Sequence, residues 1–381
     1  MIFPDAMLGM LGGGQLGRMF TLAAHSMGYR VTVLDPDPFS PAGAVADVHL
    51  KAAYQDKEAL QQLADTCAAV TTEFENVPAD SLRWLAAHCT VRPAGDSVAI
   101  AQDRGREKRF LADHGFATAP FVIIEKVADL ARCDVALYPG ILKRARFGYD
   151  GKGQARVANA SEARAAFVAM GADACVLEQF VTLACEVSVV VARGANGATQ
   201  NFTVAENQHR NGILDVCMVP ARVAPELARQ AERTATEMAI RLDYCGVLAV
   251  EFFVTPDGRL LVNEIAPRPH NSGHYTIDSC ATSQFEQQVR VLCGLPLGDT
   301  QLLTPIVMVN LLGEAWRNGE PGWARLFDNP RAKLHLYGKH EARPDRKMGH
   351  FTVLGASAEV ALGEALDIRA ALCPEFALVA A

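Results

Sequence analysis

Apolar residues in this chain fall into short runs bounded by glycine, proline and polar clusters, interleaved with longer segments of helical spacing. MLGML (7–11), Val31 to Leu34 and Ala68 to Thr72 read as short strands, and Met19 to Met27 carries helical periodicity between the first two. Further on, Ala160 to Met170, Ala224 to Leu242 and Ser283 to Cys293 have helical spacing, and Ala174 to Val181 and Glu186 to Ala192 read as strands. Val247 to Val254 is apolar except for Glu251, Pro256-Asp257-Gly258 supplies turn residues, and Leu260 to Val262 is apolar again. This predicts a β-hairpin, and a turn centred between Asp257 and Gly258 sets Glu251 opposite Glu264. Two carboxylates across a buried ladder repel, and a divalent cation is the natural compensation. Oxygen ligands of this kind, with Asn263 adjacent, suit magnesium shared with phosphates better than zinc. A surface hairpin shifted by one residue is the plain alternative.

A chain of 381 residues is long for one core and predicts two or three domains. A net charge of −7 speaks against nucleic acid as a partner, because such proteins need a basic footprint. No apolar run approaches the roughly 20 residues that span a bilayer, so no membrane partner is expected. The N-terminus has no basic stretch followed by an apolar one, and a cytoplasmic protein is expected. The 10 cysteines form no C-x-x-C pair and read as small buried residues in a reducing compartment.

Several stretches add chemistry to this frame. Gly12-Gly13-Gly14-Gln15-Leu16-Gly17 follows the first strand and opens the first helix, with Asp35 closing the second strand. That is a Rossmann-like βαβ unit whose amides are placed to hold a phosphate, and a nicotinamide cofactor stays open at this point. Glu73 and Glu75 stand at the carboxyl end of the third strand, the edge where doubly wound sheets bind ligands. Asp96 to Gly115 reads as one polar helix carrying Arg104, Lys108 and Arg109, with a domain boundary near residue 100. Gly140 to Lys143 is a short strand ending in a lysine, followed by FGYDGKGQ (147–154), either a loop that closes over a triphosphate or a plain hairpin turn. Glu178 to Val181 with Glu186 could take an adenine and a ribose, or be acids at strand edges, and Asn207 to Arg210 reads as a polar cluster between strands. Pro267 to His274 cannot be helical; its Arg268, His270, Asn271 and Ser272 beside a metal site suit an anionic substrate. Beyond residue 300 come strands at Ile306 to Leu311 and Lys333 to Tyr337. Lys339, Arg343, Arg346 and Lys347 then form a basic group that reads as a phosphate pocket or a solvated face.

Together GGGQLGRM (12–19), GYDGKGQ (148–154), NEIAPRPHNSGH (263–274), SQFEQ (283–287) and RKMGH (346–350) resemble the N5-carboxyaminoimidazole ribonucleotide synthetases, ATP-grasp ligases of purine synthesis. The resemblance covers nearly the whole chain. It implies an α/β and α+β multidomain fold. A Rossmann-like pre-ATP-grasp domain would span 1–100, an ATP-grasp domain 101–300 with a lid at about 115–190, and a small β-rich domain 301–381. It implies a homodimer whose substrates are ATP, bicarbonate and 5-aminoimidazole ribonucleotide. Carried over by position, Arg104, Lys143, Gly148, Tyr149, Asp150, Gly151, Lys152, Gly153, Gln154, Glu178, Gln179, Phe180, Val181, Glu186, His209, Asn263 and Glu264 would contact ATP. Glu251, Asn263 and Glu264 would hold magnesium, with manganese as the alternative. Gln15, Leu16, Glu73, Glu75, Arg268, His270, Asn271, Ser272, Lys339, Arg346 and Lys347 would contact the nucleotide substrate. Lys143, Arg346 and Lys347 would serve catalysis, and Asp150 would handle the amine proton. A formate-dependent glycinamide ribonucleotide transformylase is the nearest rival, although its glycine loop carries an acid where Gln15 stands. A nicotinamide oxidoreductase would leave the hairpin acids and both lysine clusters without a use. A non-catalytic nucleotide-binding protein would be expected to have lost Lys143 or a metal ligand.

Overall fold

The structure, a computed structural model, describes residues 1–146, 148 and 153–373. The N-terminal part is a five-stranded parallel sheet. Met7–Leu11 is its central strand, Arg30–Leu34 and Val48–Leu50 lie to one side, and Ala69–Thr72 and Thr90–Val91 to the other. Strand order reverses between Met7–Leu11 and Ala69–Thr72, so a crevice opens at the carboxyl ends of these two.

The glycine loop at that crevice does not offer its amides to a phosphate, because carboxylates of the chain already hold them. Gly13 N–H donates to Asp35 Oδ2 (2.7 Å), Gly14 N–H to Glu73 Oε1 (2.5 Å) and Gly17 N–H to Glu73 Oε2 (2.6 Å). The positive end of the helix Gln15–Ser26 thus faces an internal anion. Gly12 has φ +105° and lies against the Glu73 side chain, so a larger residue would meet both strain and a clash. A dinucleotide pyrophosphate would have to displace both acids, which removes the ground for the nicotinamide reading.

A second, four-stranded antiparallel sheet runs in the order Phe121–Ile124, Cys175–Gln179, Gly140–Arg144, Gln154–Val157, with the helix Ala160–Ala169 packed on it. It is narrower than the lid expected at about 115–190, because Cys185–Arg193 crosses into the third sheet. Among the described residues that sheet has nine strands, one of which, Thr199–Asn201, pairs with Cys185–Arg193 off the main path. From one edge it runs through Leu260–Ala266, Gly246–Val254, Cys185–Arg193, Ala205–Arg210 and Ile213–Val219 to Ile306–Leu312, Lys347–Leu354 and Ala332–Leu336. The described strands beyond residue 300 therefore join this sheet and form none of their own. Ile306–Leu312 is buried at every position and pairs on both sides, as a central strand must. The C-terminal helix Ala358–Leu372 is held on the sheet by apolar packing and by Arg369, whose Nη1 is 2.5 Å from Asp215 Oδ2.

Two local expectations change. The segment 96–115 is two helices, Gly95–Ala101 and Arg104–Asp113, because the Asp103 side chain accepts from Arg106 N–H (3.0 Å) and caps the second. The cluster Asn207 to Arg210 lies inside the strand Ala205–Arg210.

Burial drives the Glu73 carboxyl up from its usual 4.5 to about 7, against the two amide hydrogen bonds that hold it down. A folded-state value above the unfolded one means the fold binds the proton more tightly, so this contribution is full below about pH 4.5 and is lost toward pH 7. Replacing the carboxylate by the neutral isostere removes that dependence. In urea unfolding across this range, the stability difference between Glu73→Gln and the unaltered protein should shift in favour of the variant as pH rises. A difference that stays flat with pH would show Glu73 to be unperturbed.

Candidate active site

The hairpin Gly246–Val254/Leu260–Ala266 lines one wall of a cleft of about 890 Å³. Near the turn, Val254 pairs with Leu260 and Phe252 with Val262, so the turn is centred on Asp257 itself and the pairing there is one residue off the register that the sequence predicts. The register then slips by one residue, Asn263 is extra, and Glu251 comes to stand opposite Glu264 as expected. The bulged Asn263 turns its carbonyl to Lys108 Nζ (3.0 Å), and its buried Oδ1 has no partner among the described residues. Burial, then the facing Glu264, raises Glu251 to about 7. Among the described residues no three His, Cys, Asp or Glu side chains converge as a metal cluster. Two carboxylates and an amide oxygen fit a hard cation that takes its other oxygens from nucleotide phosphates and water.

Cations stand around this pair. Arg104 Nη2 is 3.2 Å from Glu264 Oε2, and Arg104 Nη1 is buried without a partner among the described residues. Across the cleft, Lys143 Nζ bonds Glu178 Oε2 (3.1 Å), and the fully buried Lys108 approaches the same oxygen at 3.4 Å. Burial alone would raise Glu178, but Lys143, Lys108 and Arg104 outweigh it and hold the carboxyl at about 2. Burial, first among its causes, lowers Lys143. Glu107 accepts from Ile265 N–H (2.6 Å), and burial lifts it to about 7. Lys108 and Glu107 are site residues that the sequence reading left unassigned. Their signal is spacing, since Lys108 lies one helical turn from Arg104 and shares its face.

Gln179, Phe180, Val181, Glu186 and His209 also line the cleft, as do Gly148, Gly153 and Gln154. His209 Nδ1 is 3.0 Å from Glu186 Oε2. Burial would lower this imidazole, yet Glu186 and Glu251 raise it to about 9. Tyr149, Asp150, Gly151 and Lys152 fall outside the described residues.

The other end of the cleft gathers the remaining group. Gln15 and Leu16 line it, and Gln15 Oε1 accepts from Lys339 Nζ (2.6 Å). Glu75 pairs with Arg268 (2.5 Å from Nε), which holds its carboxyl down against burial. Arg343, Arg346 and Lys347 reach the cleft from the third sheet, Asp345 stands among them, and both polar atoms of Asn271 are buried without partners among the described residues. His270 lines the cleft. Ser272, expected to touch substrate, is instead fully buried behind His270 and lines no part of the cleft, because its hydroxyl is taken by His270 Nδ1 and Ser188.

The chain is similar to known proteins over most of its length. Residues 6–102 match the ribonucleotide synthetase preATP-grasp domain, 109–285 the ATP-grasp domain, and 306–364 the phosphoribosylaminoimidazole carboxylase C-terminal domain. N5-carboxyaminoimidazole ribonucleotide synthase of Bacillus subtilis is 45% identical over 354 residues, 93% of this chain and 92% of its own. The Brucella melitensis protein of that name is 46% identical over 352 residues, covering 92% and 96%. A crystal structure of an N5-carboxyaminoimidazole ribonucleotide synthetase with ADP superposes at TM-score 0.91, with 44% identity and 97% of each chain covered. An Aspergillus clavatus enzyme in complex with ADP and 5-aminoimidazole ribonucleotide superposes at 0.88, with 30% identity and 97% and 98% covered. One cleft formed by all three matched segments, on a chain alike from end to end, places this protein in a single family: it belongs to the N5-carboxyaminoimidazole ribonucleotide synthases, and it is an ATP-dependent ligase.

Proposed function

We propose a division of labour among these side chains for the reaction of the family, the ATP-dependent carboxylation of 5-aminoimidazole ribonucleotide in purine biosynthesis. Bicarbonate is the carboxyl source in this reading. Its oxygen attacks the γ-phosphorus of ATP while the bond to the leaving ADP oxygen breaks. The amine then forms a C–N bond to the carboxyl carbon, phosphate leaves, and the amine loses a proton, with Asp150 as its acceptor. Arg104 and Lys143 face the phosphates, Glu178 to Val181 and Glu186 the adenine and ribose, and His209 lies beside Glu186. Glu251, Asn263 and Glu264 are the residues that would hold magnesium, or manganese, which when bound neutralises charge developing on the phosphates. Lys339, Arg346 and Lys347 take the phosphate of the imidazole nucleotide, and Gln15, Leu16, Glu75, Arg268, His270 and Asn271 position its remainder. A homodimer in the cytoplasm completes the proposal; the 10 free cysteines suit a reducing compartment.

The observation that carries this reading is the convergence on one cleft of the acid pair with Arg104 and Lys143 at one end and Arg268, Lys339, Arg346 and Lys347 at the other. That is the charge pattern needed to bring two anionic substrates to one γ-phosphate. ADP release measured with bicarbonate should rise strongly when 5-aminoimidazole ribonucleotide is added, and not with glycinamide ribonucleotide or NADH. Stimulation by glycinamide ribonucleotide in its place would identify the sister ligase. Glu264→Gln should retain the far-UV circular dichroism of the unaltered protein and lose about 100-fold or more in kcat, the order seen when one charge-stabilising group is removed. Unchanged kcat would place the cation elsewhere.

A further inference from the structure

Behind Glu251 runs a line of buried polar side chains that the roles above leave unused. Asn207, Ser188 and Ser272 are buried, and none of them lines the cleft. They come from three elements: the strand Ala205–Arg210, the strand Cys185–Arg193, where Ser188 stands opposite Glu251, and the short turn Asn271–Gly273. Asn207 Nδ2 is 2.8 Å from Ser188 Oγ, which is 2.9 Å from Ser272 Oγ, which is 2.9 Å from His270 Nδ1. The other ring nitrogen, His270 Nε2, lies 3.5 Å from Glu251 Oε1.

Hydroxyls and a neutral imidazole can each donate or accept, so distances alone leave the direction of such a line open. Here the backbone fixes it. The Ser272 N–H points at His270 Nδ1 from 3.3 Å, and a peptide N–H can only donate. Nδ1 is therefore an acceptor and carries no proton, which excludes both the Nδ1–H tautomer and the imidazolium. Ser272 Oγ must then donate to Nδ1, and so accepts from Ser188 Oγ. Ser188 Oγ in turn accepts from the Asn207 amide nitrogen, and this is the amide orientation found. Every bond along the line agrees with the direction set at its end, and the proton of the ring is left on Nε2, the nitrogen nearer Glu251.

We propose that Asn207, Ser188 and Ser272 are positioning residues that lock His270 as its neutral Nε2–H tautomer, so that the ring presents a fixed donor at Glu251 and the imidazole nucleotide and does not act as a base. What the donor meets rests on the carboxylation reading above; the tautomer does not. Second partners of this kind set which nitrogen of a histidine carries its proton.

The full-length enzyme labelled with 15N-histidine, saturated with ADP, gives the answer directly. Long-range 1H–15N correlation, with the His270 signals assigned by their loss in His270→Asn, should show Nε2 protonated and Nδ1 bare across neutral pH. A protonated Nδ1, alone or with Nε2, overturns the proposal. In Ser188→Ala the KM for the imidazole nucleotide should rise about tenfold, the cost of one lost hydrogen bond, with the KM for ATP unchanged. Ser188→Thr, which keeps the hydroxyl, should recover most of that loss. An unchanged nucleotide KM in Ser188→Ala, or equal losses for both substrates, would reduce the line to packing. The ring signals are read without turnover, so failure of the carboxylation reading would leave them interpretable.

Discussion

Two carboxylates held face to face on a buried ladder repel each other, and much of the cleft is arranged around that repulsion. Glu251 meets Glu264 because the strand Leu260–Ala266 carries one extra residue, Asn263, between them and the turn. The same bulge turns the Asn263 carbonyl toward Lys108, whose ammonium reaches Glu178 on the four-stranded sheet. Arg104, one helical turn from Lys108, meets Glu264 itself. A short helix thus ties the strand that carries Asn263 and Glu264 to the sheet that carries Lys143, and it does so with buried charges that are costly to separate.

The N-terminal sheet makes a different use of its anion site. Glu73 and Asp35 hold the glycine loop closed on itself, so Gln15 and Leu16 are displayed from a rigid helix start instead of being ordered by a ligand. Lys339 then reaches across from the third sheet to Gln15. The loop that in a dinucleotide enzyme would grip a pyrophosphate here serves as a fixed platform against which the basic group at Lys339 to Lys347 is placed.

Much of this was legible in the sequence, and the misses have physical causes. The pairing of Glu251 with Glu264 was read correctly although the turn is centred on Asp257; the bulge offsets the difference, and no residue type marks it in advance. The glycine loop was misread because its true partner, Glu73, lies 56 residues from Gly17, beyond any local window. The continuous nine-stranded sheet escaped notice for the same reason, since Ile213–Val219 and Ile306–Leu312 pair across a long stretch of chain. Ser272 stands in a stretch of polar residues whose neighbours face the cleft, and only the fold shows that it supports His270 from behind. What spacing could reveal and did not is Lys108, four positions after Arg104 on the same helix.

The central claim is that the facing carboxylates are a cation site completed by nucleotide phosphates. Isothermal titration of ADP into the protein, with and without magnesium, tests it most directly when repeated on Glu251→Gln. Magnesium should tighten ADP binding in the unaltered protein, and that gain should be largely lost in the variant while binding of ADP alone stays nearly the same. An equal magnesium effect in both proteins would contradict the account.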